Sequence, residues 1–551
     1  MTRRWQRYAC AIVHYNIEDQ SQIRETENGL LYLLALEYVD NADLLDRSVY
    51  QFGTFDEVPT VFYAVYSRDV RKVEKWLREG ADPNSVAKLP DTFKNPSEAP
   101  ISTNLPVLAY AILLEEPKIV RVLLSFGAKP NIIPDALRLP YVKPHCYKFK
   151  TKTQAKQHFM DHIHQNEETE WCKDIIFAQL RQKLNLTMRY DLHRGDNFNL
   201  TKRRVQFAKS PIWDCSPLFR AHFDLVGQEY ALKKLLNHIL MLTEKSGQTS
   251  KPAVFLFAGP SGHGKTELAR QMERYLGLPF HSENMAAVKR EDEFFGPHSP
   301  YRGYEQGSPL NNFLVANNGK RAIVFLDEIE KTSQAILNAL LVIFERGASI
   351  IDRRGGNRKA DISKVIWILA TNALDNNIKT FFTMEKHITP ELMLKEGRAL
   401  VSGMRKTLHG RFGAAFTSRI DLILPFFPFS YDEQAVLAHL EIWERREELQ
   451  RSICLDPKAR RLVGNIKLSM EKDYKSCRII SKSYMTEEGV HSIKRAVDSI
   501  ETDIFEHYLD ASNDSITEED QKIEREYILL ADKLNDMVTL SVGETIVREE
   551  A

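Results

Sequence analysis

The sequence predicts a multidomain chain: a region of paired helices, then an α/β domain whose parallel sheet is flanked by helices. Two helix–turn–helix stretches close on one shared signature, Gly80-Ala81-Asp82-Pro83-Asn84 and Gly127-Ala128-Lys129-Pro130-Asn131. Further on, the apolar run Ala253–Ala258 meets a glycine-rich loop and then a helical pattern. Three later strand-sized runs, in Arg321–Lys331, Val365–Asn372 and Ile420–Phe426, carry polar groups at or beside their ends. At 551 residues the chain is too long for one ordinary domain of roughly 100–200 residues.

Composition narrows the function classes. The chain is 43% hydrophobic and 27% charged, as soluble globular proteins are. Lys plus Arg and Asp plus Glu both number 75, so no global charge points to nucleic acid or an acidic membrane surface, and neither partner is expected. Six cysteines stand far apart with no CxxC spacing, which argues against a zinc cluster and for reducing surroundings. The longest apolar runs are strand-sized and too short to span a bilayer. Arg3, Arg4 and Arg7 are followed by Glu18 and Asp19, which argues against a signal peptide. The cytoplasm is the expected location, with a mitochondrial presequence as the alternative.

The strongest chemical signal is G-x-x-x-x-G-K-T from Gly259 to Thr266, with a strand before it and a helix after it. In such a loop backbone N–H groups converge on phosphate oxygens, and the helix N-terminus adds its dipole. The predicted nucleotide-binding residues are Gly259, Pro260, Ser261, Gly262, His263, Gly264, Lys265, Thr266 and Glu267. Lys265 reaches the β- and γ-phosphates of ATP, and the Thr266 hydroxyl ligates Mg2+. A second strand, Ala322–Leu326, closes on Asp327 and Glu328. Asp327 is the expected second metal residue, and Glu328 the base that polarises the attacking water. The third strand ends at Asn372, whose amide can bond that water or the γ-phosphate. Chemistry gathered at strand ends along one edge of a parallel sheet sits in the carboxyl-end crevice.

The set GPSGHGKT, FLDEIEK, ILATN and FTSRID resembles the Clp-type branch of the AAA+ ATPases, above all the second ATPase module of ClpB-like disaggregases. The resemblance runs from about Ser216 to the C-terminus. It implies an α/β P-loop AAA+ domain followed by a small, mainly helical lid domain, for which Tyr484–Asp498 carries the likeness. It also implies that Val226 and Gly227, with Gln228, contact the adenine, and that Arg419 is offered to a neighbouring subunit's γ-phosphate. Tyr301, with Arg302 and Gly303, falls on the family's pore loop, where an aromatic grips polypeptide in the channel of a homo-hexamer. Pro300 and Arg302 replace the usual glycine and small apolar residue. His491, in Gly489-Val490-His491, falls where the family carries the arginine of a Gly-Ala-Arg sensor, with Lys494 and Arg495 nearby.

The front half resembles ankyrin repeats. Its two signatures end 47 residues apart, at Asn84 and Asn131, against roughly 33 for an uninterrupted repeat, implying an insertion near Lys88–Thr103. Leu30–Tyr50 supplies a cap or a degenerate repeat. The expected boundaries are 1–55 for an N-terminal helical region, 56–147 for the repeats and 148–215 for a basic helical linker. The AAA+ large domain follows at 216–426, and the small domain with the C-terminus at 427–551. Ankyrin repeats on a single ClpB-like module also resemble the ankyrin-containing ClpB homologues of animal mitochondria. The function implied is an ATP-dependent protein unfoldase or disaggregase acting on unfolded or aggregated polypeptide, with the repeats binding substrate or a protein partner. A nucleotide-dependent signalling switch and a weakly hydrolysing ATP-binding scaffold are the alternatives. No peptidase partner is expected, because the ATPase module has no Ile-Gly-Phe/Leu docking tripeptide.

Overall fold

A computed structural model describes residues 58–88, 104–138, 169–198, 200–244, 251–297, 304–354, 358–384, 390–511, 516–517, 519–532 and 537–547. The chain divides into two compact units, Met1–Asn197 and Phe198–Ala551. The expected cap at Leu30–Tyr50 lies outside the described residues.

In the first unit, helices α1 (Thr60–Tyr66) and α2 (Val70–Arg78) form one pair, and α3 (Val107–Leu113) and α4 (Pro117–Ser125) a second. Asp69 caps α2 by accepting the Arg71 N–H at 2.8 Å. The two signature turns bond to each other. The Asn84 amide donates to the Gly127 carbonyl at 3.1 Å and accepts the Lys129 N–H at 2.8 Å. Strands β1 (Val86–Ala87) and β2 (Leu105–Pro106) pair antiparallel on either side of the insertion.

The expected linker at 148–215 divides between the two units. Helices α5 (Asp174–Lys183) and α6 (Leu186–Asn197) pack on the repeated pairs, α6 against α4. Arg121 on α4 donates to the fully buried Asp191 on α6 at 2.8 Å. Cys172, Leu180, Met188 and Leu192 are buried as well, so this stretch is core rather than a solvated helix. Residues from Leu200 belong to the second unit, where Trp213 and Cys215 enter its core.

That second unit is built on five parallel strands: β3 (Ala253–Ala258), β4 (Phe280–Asn284), β5 (Ile323–Asp327), β8 (Ile366–Thr371) and β9 (Leu422–Pro425). Their order across the sheet is β4-β5-β8-β3-β9, and a small hairpin of β6 (Ser349–Ile351) and β7 (Lys359–Asp361) stands apart. Every residue of β3 and β8 is buried, because both faces of a parallel sheet are covered and such strands read as continuous apolar runs. Val254, Leu256 and Trp367 face one core; Phe255, Phe257 and Ile368 face the other.

Beyond β9, helices Tyr431–Leu449, Asp473–Ile480 and Val490–Asp510 form a smaller subdomain within the same unit. Ser430 and Glu433 make a capping box at the first of these. The same stretch also carries a sheet of β10 (Ile466–Met470), β11 (Ile523–Asp532) and β12 (Met537–Val547). Tyr527 and Leu529, two apart on β11, bury one face of it, the alternation that makes such a segment a strand.

Candidate nucleotide-binding site

The site lies at the carboxyl edge of the five-stranded sheet. Gly259 leaves β3 with its N–H bonded to Thr371 at the end of β8. Gly259, Gly262 and Gly264 have φ of 151°, 71° and 89°, a backbone that glycine adopts without steric cost. Lys265 then opens the helix Lys265–Leu276. Its buried ammonium donates to the carbonyls of Gly259 and Pro260, the latter at 2.7 Å, and to Asn372 Oδ1 at 2.8 Å. Burial pushes the Lys265 pKa down to about 8, and the carboxylates of Asp375, Asp327 and Glu330 oppose that shift.

The Thr266 hydroxyl donates to Asp327 Oδ2 at 3.2 Å. The structure thus brings the two predicted metal residues together from separate elements. Two oxygens at this distance, beside a loop of phosphate-binding form, suit Mg2+, which takes few protein ligands and completes its shell with phosphate and water. Glu328 follows in a left-handed conformation with φ of 53°, its N–H held by Asp327 Oδ1 at 2.9 Å. Its carboxylate accepts from Lys331 at 3.2 Å. Asn372 is fixed from behind, its N–H donating to Glu330 Oε1 at 3.2 Å. Glu330 Oε2 and Asp375 Oδ1 are buried without a hydrogen-bond partner, and burial raises the Asp375 pKa. Neither carboxylate stood out in the sequence, although Glu330 lies inside FLDEIEK and Asp375 three residues after ILATN.

The predicted adenine segment closes the other side. Gln228, buried with φ of 58°, exchanges two 2.8 Å bonds with the Phe427 backbone. Val226 is buried, and a Cβ at Gly227 would lie 2.8 Å from Glu433 Oε1. Glu267 is exposed and bonds Gln271 at 2.6 Å, away from the loop.

Arg419 ends the helix Pro390–Arg419, six residues after a break at Gly413, and its guanidinium bonds Glu345 and Ser418. His491 stands in the first turn of Val490–Asp510; a Cβ on Gly262 would come 3.1 Å from its ring. Tyr301, Arg302 and Gly303 lie outside the described residues; just after them, Tyr304–Gln306 forms a short 3-10 turn.

The smaller subdomain touches the phosphate loop directly. Val490 N–H donates to the Gly262 carbonyl at 3.0 Å. A Cβ on Gly489 would lie 2.4 Å from that same carbonyl oxygen, and one on Gly262 2.1 Å from the Glu488 carbonyl. His263 is buried, stacked on Phe429 at 5.1 Å and bonded through Nε2 to the Tyr484 hydroxyl at 2.8 Å.

The five-stranded parallel sheet with its flanking helices fits an α/β AAA+ domain. Residues 250–423 match the family described as AAA domain (Cdc48 subfamily). Over 219 residues the chain is 29% identical to the chaperone protein ClpB of Chlamydia trachomatis, covering 38% of this chain and 24% of that protein. It is 22% identical to the mitochondrial disaggregase of Bos taurus over 496 residues, 80% of this chain and 70% of the relative. The mitochondrial chaperone protein ClpB4 of Arabidopsis thaliana is 28% identical over 243 residues, 42% of this chain and 24% of its own. The chain therefore spans about a quarter of the ClpB proteins it matches. Similarity to the disaggregase extends over most of both chains.

Proposed function

We propose that this protein hydrolyses ATP to ADP and phosphate and uses the energy to unfold or disaggregate polypeptide, working as a homo-hexameric ring. The observation that carries the reading is the convergence of Lys265, Thr266, Asp327 and Asn372 at one sheet edge, from three separate segments. In the proposed mechanism Lys265 leaves the Gly259 and Pro260 carbonyls for the β- and γ-phosphates. Thr266 and Asp327 would hold Mg2+, which neutralises phosphate charge. Glu328 takes the proton from the attacking water, and Asn372 orients that water. Arg419 serves a neighbour's nucleotide: its partners in its own subunit are Glu345 and Ser418, not the phosphate loop. Tyr301 grips the substrate, a ring face giving contact area indifferent to sequence. The paired helices, with Asn84 tying successive turns, are read as ankyrin repeats that bind substrate or a partner protein. Of the two locations expected from the sequence, the mitochondrial one is the reading adopted, supported by two named relatives that are mitochondrial by description.

The test is refolding of an aggregated reporter enzyme, measured together with ATP turnover. Wild type is expected to restore reporter activity in an ATP-dependent way. Tyr301→Ala should keep basal turnover and lose reactivation. Wild type that hydrolyses ATP without reactivating any aggregate would move the signalling switch to first place.

A further inference from the structure

We infer that Tyr484 is a positioning residue of the nucleotide site, holding the phosphate loop from the smaller subdomain through His263. The proposal rests on the nucleotide-site reading above and adds a component to it.

The geometry assigns each proton. His263 Nδ1 lies 2.7 Å from the Ser261 carbonyl and 3.3 Å from that of Pro260. Both are acceptors only, so Nδ1 carries the hydrogen. Nε2 is then a lone pair, and its partner at 2.8 Å, the Tyr484 hydroxyl, must donate. The same hydroxyl accepts the Phe429 N–H at 3.2 Å. Tyr484 therefore joins two strand-end connections, the loop after β3 and the chain after β9. Phe429 completes the cage by stacking on the imidazole with its plane only 17° away.

This arrangement holds the peptide groups that must face phosphate. With its N–H shared between the Ser261 and Pro260 carbonyls, His263 pins the turn at Ser261 and Gly262. Val490 and Gly489 press on the neighbouring carbonyl of Gly262 from the same subdomain. Lys379, on the helix following Asn372, bonds Glu487 at 3.0 Å and fastens the far side of the segment. Moving the segment Tyr484–Val490 as a body would release these contacts together, loosening the loop that holds the phosphates. Burial keeps the imidazole neutral, its pKa pushed down to about 4, and raises the tyrosine to about 12, so neither partner changes charge at neutral pH.

The experiment is a double-mutant cycle on the full chain, with a fluorescent ADP analogue as probe. Tyr484→Phe keeps the ring and removes only the hydroxyl. It is expected to weaken binding about three- to tenfold, the worth of one buried hydrogen bond, chiefly through faster release. His263→Ala should weaken binding at least as much, and the double variant no more than His263→Ala alone. The 15N signal of the His263 ring, identified by its loss in His263→Ala, should report Nδ1–H in wild type and shift at Nε2 in Tyr484→Phe. Wild type that fails to bind the probe overturns the nucleotide-site reading and this inference together. Wild type that binds overturns the latch alone in either of two cases: unchanged affinity in Tyr484→Phe, or additive losses in the double variant.

Discussion

The two sides of the proposed nucleotide site are built in different ways. On the sheet side, four side chains at strand and helix ends, Lys265, Thr266, Asp327 and Asn372, supply charge and hydrogen-bonding groups. On the other side, Tyr484–Val490 meets the loop mostly through backbone, with Gly489 against Gly262 and Val490 N–H on the Gly262 carbonyl. The first side is chemistry that a substitution removes outright. The second is shape, in which a single added methyl group collides with a peptide. The difference teaches where to expect loss of turnover and where to expect loss of fit.

The largest effect belongs to the sheet side. Lys265→Ala should abolish measurable nucleotide binding, checked by titration with the fluorescent analogue, because no other cation contacts the Gly259 and Pro260 carbonyls among the described residues. Equal affinity for variant and wild type would break the comparison at its stronger end. Arg419→Ala should lower turnover on the order of a thousandfold, as expected of a trans-acting arginine, with binding nearly intact. Specific activity that stays flat on dilution to monomer would remove that role. Glu328→Gln should cut turnover about a hundredfold and leave affinity within about threefold, since the base matters only when water attacks.

Effects on the opposite side are expected to be smaller. Gly489→Ala puts a Cβ 2.4 Å from the Gly262 oxygen at a φ of 59°, so the subdomain must shift. Nucleotide affinity should fall about tenfold, with a lower unfolding midpoint of the second unit; calorimetry with and without nucleotide checks both. A pH effect comes last. The His263 pKa is lowered from 6.5 to about 4, mainly by burial. Its contribution to stability is therefore complete above pH 6.5 and is lost as pH falls from there through about 4. The slope is at most about 1.4 kcal/mol per pH unit. Denaturation midpoints of wild type and His263→Gln, compared from pH 7.5 to pH 4.5, should converge toward the acid end.

Much of the sheet side was legible in the sequence because its residues are contiguous with their own elements. Gly259–Thr266 needs only a strand before it and a helix after it, and Asp327 needs only to end an apolar run. The contribution of Tyr484 was not legible: it lies 221 residues from His263, and nothing in a lone tyrosine before a helix announces its partner. Glu330 and Asp375 were hidden for a related reason, since burial of an unpaired carboxylate oxygen depends on packing and not on spacing. The stretch 174–197 was misread as linker because Arg121 and Asp191 sit on different helices; each looks like a solvated charge until the two helices meet.

The strand order of the large sheet has a consequence for how the chain is made. The internal strand β3 bonds to β8 and β9, both far downstream, and the Val254 N–H waits for Asp421, 167 residues later. At a synthesis rate of about 5–20 residues per second, that wait is on the order of ten seconds or more. Throughout it the run Ala253–Ala258 is an uncharged, six-residue apolar segment, of the length and character that self-associate when left exposed. The phosphate loop hangs from this strand and cannot become rigid before β9 has left the ribosome. Nascent chains of this protein thus pass through an interval in which the proposed nucleotide site is unformed and this apolar segment is bare.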